Sequence, residues 1–421
     1  MPRSDSPQYR STALDRALAP ARTVVVVGPV AGLDEDAMRA VLRTAQNSSP
    51  TPRIALEPRT DSRVWGYSDQ LDKRVTTRGD LDTSDLGRLV TEIRRSVEPE
   101  GSLQVLICGD YVVVNYSHGV ADGQLGVLLP AMLTIGDTAS APSVARGLES
   151  SSIWTALWKH YRSNPGALKQ FWNLRKEHKV PTAVGTQRRI RDWRASTVSF
   201  SAYLEPDELN RLRSWAKTTW PAATSASITV AMWLAALRDE GVAVDEKVMI
   251  LMNCRRYLDP EYAALHGNFA VGIPLRLPGC PSPETVATVT RSVIDSGWPI
   301  AILGMAEIKA RKPGSTDPAP EEPSDGVLVG DRIRAAVSDV GKLRGYESHP
   351  WAPGSRPPQL SAYLEPDGPD AVPLLVAELA GGQTLTASYC TQMVEPGVIE
   401  NAVRRMCSDP IGLLETIAVE A

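Results

Sequence analysis

Apolar positions along the chain switch period several times, and each switch marks an element. Residues 22–30, 103–114, 196–204, 247–254 and 267–277 are apolar or alternating runs, rich in β-branched residues and bounded by Gly, Pro or charged positions, and they predict strands. Helical spacing appears in between. Leu33, Ala37, Ala40, Val41 and Ala45 share one face, and residues 83–97, 124–133, 206–220, 225–240, 283–297 and 397–406 repeat the pattern. Residues 11–19 open as a short helix, with Thr12 and Asp15 at capping-box spacing. Residues 153–174 predict one helix or a broken pair carrying Trp154, Trp158, Tyr161, Phe171 and Trp172 as packing residues. Near the end, 374–379 and 383–389 read as antiparallel neighbours joined at Gly381 and Gly382. Strands and helices alternate throughout, which is the pattern of an α/β protein.

A chain of 421 residues exceeds one ordinary hydrophobic core and predicts two domains or two similar halves. The best connection is the basic stretch 176–194, which carries Pro181 and Gly185 among Arg188, Arg189, Arg191 and Arg194. The division is therefore 1–178, a linker at 179–195, and 196–421. That linker's charge suits solvent, or else the phosphates of a coenzyme or the acidic face of a carrier protein. Residues 312–325 are rich in Pro, Ser and acidic side chains and predict a loop without core contacts. The heptamer SAYLEPD occurs at 201–207 and at 361–367 in different surroundings, as coincidence or as a weak trace of two similar halves.

Composition removes several classes of function. With 43% hydrophobic and 22% charged residues and a net charge of −4, nothing draws the chain to nucleic acid or to an anionic membrane. The five cysteines are scattered, which suggests neither a metal site nor a disulfide framework and fits a reducing cytoplasm. Residues 1–10 lack the apolar core of a signal peptide, and the valine run 24–27 is too short for a membrane span. The phosphate-cradling, dinucleotide and nucleophile-elbow motifs are absent from the sequence.

What remains is the segment 115–123, Asn-Tyr-Ser-His-Gly-Val-Ala-Asp-Gly, which follows the strongly apolar run 103–114. His118 would stand just past a strand end. Asp122 and Gly123 fall at the entrance of the next helix, where Asp caps and Gly admits a close neighbour.

His118, Asp122 and Gly123 form the pattern HxxxDG. With Ala13-Leu14-Asp15-Arg16, the strand end Asn253-Cys254-Arg255-Arg256, the segment Gly267-Asn268-Phe269 to Pro274-Leu275-Arg276 and the late Ser338-Asp339-Val340-Gly341, it resembles the HxxxDG acyltransferase superfamily. Chloramphenicol acetyltransferase, peptide-synthetase condensation domains, plant BAHD enzymes, wax ester synthases and polyketide-associated acyltransferases are its types. The resemblance implies two chloramphenicol-acetyltransferase-like α/β halves in a V around an active-site tunnel. One chain of this length supplies both halves and so can act as a monomer.

It also implies the chemistry. An acyl group passes from coenzyme A or a carrier-protein phosphopantetheine thioester to a small hydroxyl or amine acceptor. His118 is the general base, with no covalent enzyme intermediate and no metal. Asp122 is a brace paired with Arg255, with Arg256 the second choice, and Gly123 leaves room for the chain or the pantetheine arm. Ser117, Ser338 and Asn268 are oxyanion donors or tunnel lining. Two departures narrow the family: condensation domains usually carry a second histidine where this chain has Ser117, and the late motif is not the DFGWG of the plant enzymes. The alternatives are a condensation-type enzyme acting on a carrier-bound substrate, a binding protein of the same fold without turnover, and an unrelated two-domain protein with an accidental motif.

Overall fold

The computed structural model describes residues 7–96, 101–147, 150–179, 187–310, 326–354 and 356–420. The predicted loop at 312–325 and the linker's Pro181 and Gly185 lie outside the described residues.

The run of four valines, 24–27, explains the first half. It forms the strand Arg22–Gly28, and all four side chains are buried. Val25 and Val27 pack into one core with the helices Glu35–Asn47 and Gly123–Ile135; Val24 and Val26 pack into a second with the helix Leu86–Ser96. A strand covered on both faces needs a continuous apolar run rather than an alternating one. The sheet runs in the order Gln359–Tyr363, Arg22–Gly28, Tyr111–Ser117, Leu103–Cys108, Val75–Thr77. Only the last pair is parallel.

The apolar run 103–114, expected as one strand, is two. It folds back at Gly109 and Asp110 into a hairpin of Leu103–Cys108 with Tyr111–Ser117. Gly109 has φ +56°, a left-handed backbone that glycine adopts without steric cost. Periodicity cannot show such a fold, because both arms are buried on both faces. The broken helix pair is Ser150–Ser163 and Pro165–Glu177. In the late hairpin Ala371–Leu379 and Gly382–Cys390, the turn falls one residue earlier than expected, on Ala380 (φ 50°) and Gly381 (φ 93°).

The second sheet is larger, in the order Ala270–Arg276, Lys247–Asn253, Arg334–Lys342, Ala371–Leu379, Gly382–Cys390, Thr197–Leu204. The two pairings of Arg334–Lys342 are parallel and the others antiparallel. Its core gathers around the helix Ser225–Asp239, whose residues 229–237 are all buried.

The architecture is thus two α/β halves, each with its own mixed sheet, but the chain does not keep them apart. After Arg334–Lys342 in the second sheet it crosses to the first as Gln359–Tyr363, then returns as Ala371–Leu379. The stretch 196–421 therefore serves both sheets. Nor is 187–195 a free tether: Arg188–Ile190 pairs with Val327–Val329, and Ile190 and Trp193 are buried in the second core. Its arginines bind the body of the protein, Arg188 donating to Met393 O, Arg189 to Gly326 O and Arg194 to Glu365.

The two SAYLEPD copies meet. Each starts within an edge strand, one of each sheet, and Ser201 Oγ lies 2.8 Å from Ser361 Oγ. Thr386 Oγ1 closes a triangle at 2.9 Å to Ser201 and 2.8 Å to Ser361. Each hydroxyl can donate once and accept once around that ring. Ser361→Ala is expected to lower stability by about 1–2 kcal/mol, and Ser201→Ala with Ser361→Ala by less than the sum of the single changes. Denaturation midpoints in a double-mutant cycle measure this, and strict additivity would show that the hydroxyls act independently.

Candidate functional site

The strand Tyr111–Ser117 ends in a tight turn held from below. Ser117 N donates to Ser102 O (2.7 Å), His118 N to Ala21 O (2.8 Å) and Val120 N to Ser117 O (3.0 Å). The Ser117 hydroxyl donates to Ala19 O at 2.7 Å and accepts from Gly119 N at 3.2 Å. It is buried and engaged in bracing the turn, so the structure places it beneath the histidine. Gly119 is a position that requires glycine: a Cβ there would come within 2.9 Å of Ala19 Cα and 3.0 Å of Asp15 O. At Gly123 a Cβ would meet nothing within 4 Å; no close backbone demands glycine there.

Asp122 caps the helix Gly123–Ile135, its Oδ1 accepting from Gln124 N. Its Oδ2 accepts from Arg255 Nη1 at 2.6 Å and Phe269 N at 2.9 Å. Both side chains of this ion pair are 5% exposed. Arg255 spends its other donors on Leu265 O (3.3 Å) and Gly267 O (3.0 Å). Burial alone would push the Asp122 carboxyl up, but the Arg255 charge and hydrogen bonds outweigh it and hold the carboxyl below its ordinary value. Arg256 is exposed, with Nε on Asn253 O.

His118 is half-buried, and Asn268 from the second half reaches its ring: His118 Nδ1 lies 3.1 Å from Asn268 Oδ1. The Asn268 amide nitrogen donates to His118 O (2.8 Å) and Asp15 Oδ1 (3.0 Å), with Gly119 O at 3.4 Å. Asp15 is itself held on every side. It pairs with Arg53 at 2.7 Å, accepts from the Tyr9 hydroxyl at 2.7 Å and closes a capping box with Thr12. Burial would raise its carboxyl, yet Arg53, Tyr9 and Thr12 together keep it lowered. Arg53 also donates to Val120 O (2.6 Å), Gly119 O (3.2 Å) and the Tyr9 hydroxyl. Burial, opposed by Arg53, raises the Tyr9 phenol, so it serves as a neutral donor. His266, two positions before Asn268, is 1% exposed and is pushed down to about 4 by burial and then by Arg255, which keeps it neutral.

His118, Asp122, Asn268 and Arg255 thus come together where the halves meet. Ser338 lies in the strand Arg334–Lys342, just before a bulge between Asp339 and Gly341, and makes no hydrogen bond to the histidine among the described residues. Arg53 and Tyr9 have no mark in the sequence, and Asp15 is marked there only as a helix cap and as part of the segment 13–16. Asp15 had a capping role that is real, but its second role depends on Arg53, 38 positions away, and no local pattern marks that pairing.

The fold is the chloramphenicol-acetyltransferase-like fold that condensation domains also have. It is similar to a trichothecene 15-O-acetyltransferase from Fusarium sporotrichioides, with 11% identity, a TM-score of 0.61 and coverage of 97% of this chain and 95% of that one. The first condensation domain of the CDA synthetase is similar at 16% identity and TM-score 0.60, over 97% of this chain and 98% of that one. The epimerization domain from the third module of tyrocidine synthetase B matches at 12% identity and TM-score 0.57, over 96% and 94%. No family model and no curated protein sequence matches the chain.

Breaking a buried pair leaves a charge without compensation, so Arg255→Met is expected to cost about 3–5 kcal/mol, read from the denaturation midpoint. A smaller loss in the double variant Asp122→Asn with Arg255→Met would confirm the pairing. Acid acts on the same groups. Because Asp15 and Asp122 titrate lower folded than the ordinary 3.8, their contribution is complete above about pH 4 and is lost as the pH falls through the depressed folded values. Unfolding free energy should therefore drop steeply below about pH 4, and less steeply in Asp122→Asn.

Proposed function

We propose that this protein is an acyltransferase that moves an acyl group from a thioester to a hydroxyl or amine acceptor, with His118 as general base. The observation that carries this is the isolation of His118. Asp122, the other titratable residue of its motif, is committed to Arg255, and the histidine stands at the seam between the halves with its ring held by Asn268. The likeness to an acetyltransferase and to condensation domains supports the same class.

In this reading His118 takes the proton of the acceptor as its oxygen or nitrogen attacks the thioester carbonyl carbon. The tetrahedral oxyanion collapses, the carbon–sulfur bond breaks, and the leaving thiolate takes the proton back from the imidazolium. No covalent bond to the protein is needed. Ser338 is proposed as an oxyanion donor or as lining of a tunnel between the halves. The thioester is a substrate, carried by coenzyme A or by the phosphopantetheine of a carrier protein; the likeness to condensation domains favours including the carrier-bound form. The free cysteines fit a reducing compartment such as the cytoplasm.

A panel of acyl-coenzyme A and acyl-carrier donors, offered with alcohol and amine acceptors and followed by thiol release and intact product mass, tests the assignment. His118→Ala should reduce kcat/KM by roughly a hundred- to ten-thousandfold while the protein stays folded. Unchanged thioester-dependent turnover in that variant would overturn it.

A further inference from the structure

The geometry points to Asn268 as a positioning residue that fixes which nitrogen of His118 carries the proton, with Asp15 and Arg53 fixing Asn268 in turn. This deepens the general-base reading of His118 given above.

The argument is one of donors and acceptors. The two ends of a carboxamide are told apart by their partners. Here the nitrogen end of Asn268 meets His118 O, Asp15 Oδ1 and Gly119 O, all acceptors. Turning the amide over would aim its oxygen at a carboxylate and two carbonyls. The oxygen end therefore faces the ring, and an amide oxygen can only accept. His118 Nδ1, 3.1 Å away, must then bear the hydrogen, which leaves the lone pair on Nε2. Nε2 has no protein partner among the described residues and is the nitrogen free to take a proton from an acceptor.

The arrangement needs Asp15 ionised, and Arg53 at 2.7 Å secures that in a place where both side chains are at most 2% exposed. The order of control is Arg53, Asp15, Asn268, His118. An amide in this position also differs from a carboxylate: it sets the tautomer without adding a negative charge next to the imidazole. Asp15, which holds Asn268, is paired with Arg53, and Asp122, which holds Phe269 N beside it, is paired with Arg255.

The test reads the tautomer directly. The chain has five histidines, so ring nitrogen-15 spectra of the full-length protein are simple, and His118→Ala identifies the His118 signals by their loss. In the unsubstituted protein above the imidazole's titration, the expected form is Nδ1–H with an unprotonated Nε2. Asn268→Leu should shift His118 toward the Nε2–H form that free imidazole side chains favour, and lower kcat roughly a hundredfold or more with KM little changed. An Nε2–H ring in the unsubstituted protein would overturn the inference without any variant. So would an Nδ1–H ring that persists in folded Asn268→Leu. Unchanged turnover in His118→Ala would instead remove the general-base reading and leave the tautomer measurement standing.

Discussion

Two opposite charges buried where two halves of a chain meet make a demanding contact, because neither can be left without the other. The Asp122–Arg255 pair is that contact here. A buried charge without its partner is destabilising by several kcal/mol, whereas a satisfied pair need add little net stability. Its value lies in placement. Asp122 starts the helix that follows the histidine turn and also receives Phe269 N, next to Asn268. One carboxylate therefore sets the distance between His118 and the residue that reaches its ring.

On the other side of the ring a second buried pair does similar work. Arg53 gathers Val120 O, Gly119 O, Tyr9 and Asp15 around the underside of the turn. Elements from four parts of the sequence meet there: the start of the chain, the short helical turn at Arg53–Ala55, the histidine strand end and the segment before Ala270–Arg276. The histidine side chain is flanked by two neutralised ion pairs and touched by an uncharged amide.

Local chemistry explains which of this was legible in the sequence. The capping box at Thr12 and Asp15, the cap at Asp122 and most helices are written in short patterns and appear where those patterns put them. The valine strand was legible because burial on both faces leaves a continuous run. The hairpin inside 103–114 was not, since both of its arms look alike and only Gly109 marks the bend. The site divides the same way. His118 stands out as a lone histidine after a strand, and Arg255 was singled out by the resemblance to the acyltransferase family. The Asn268 contact with the ring and the Arg53–Asp15 pair join positions 150 and 38 residues apart; no local pattern marks them, and the family resemblance, which did supply the Asp122–Arg255 pair across 133 residues, gave Asn268 a different role.

The strand Gln359–Tyr363 bears on how the protein can be assembled. It covers the open side of Arg22–Gly28, whose backbone would otherwise be an unpaired row of donors and acceptors beside four valines, the kind of edge that recruits other chains. That cover is made late in synthesis, from sequence that lies between two strands of the other sheet. Through most of translation the first half exists with its stickiest border open. The two halves are thus a single cooperative unit, closed by a strand borrowed from the far end of the chain.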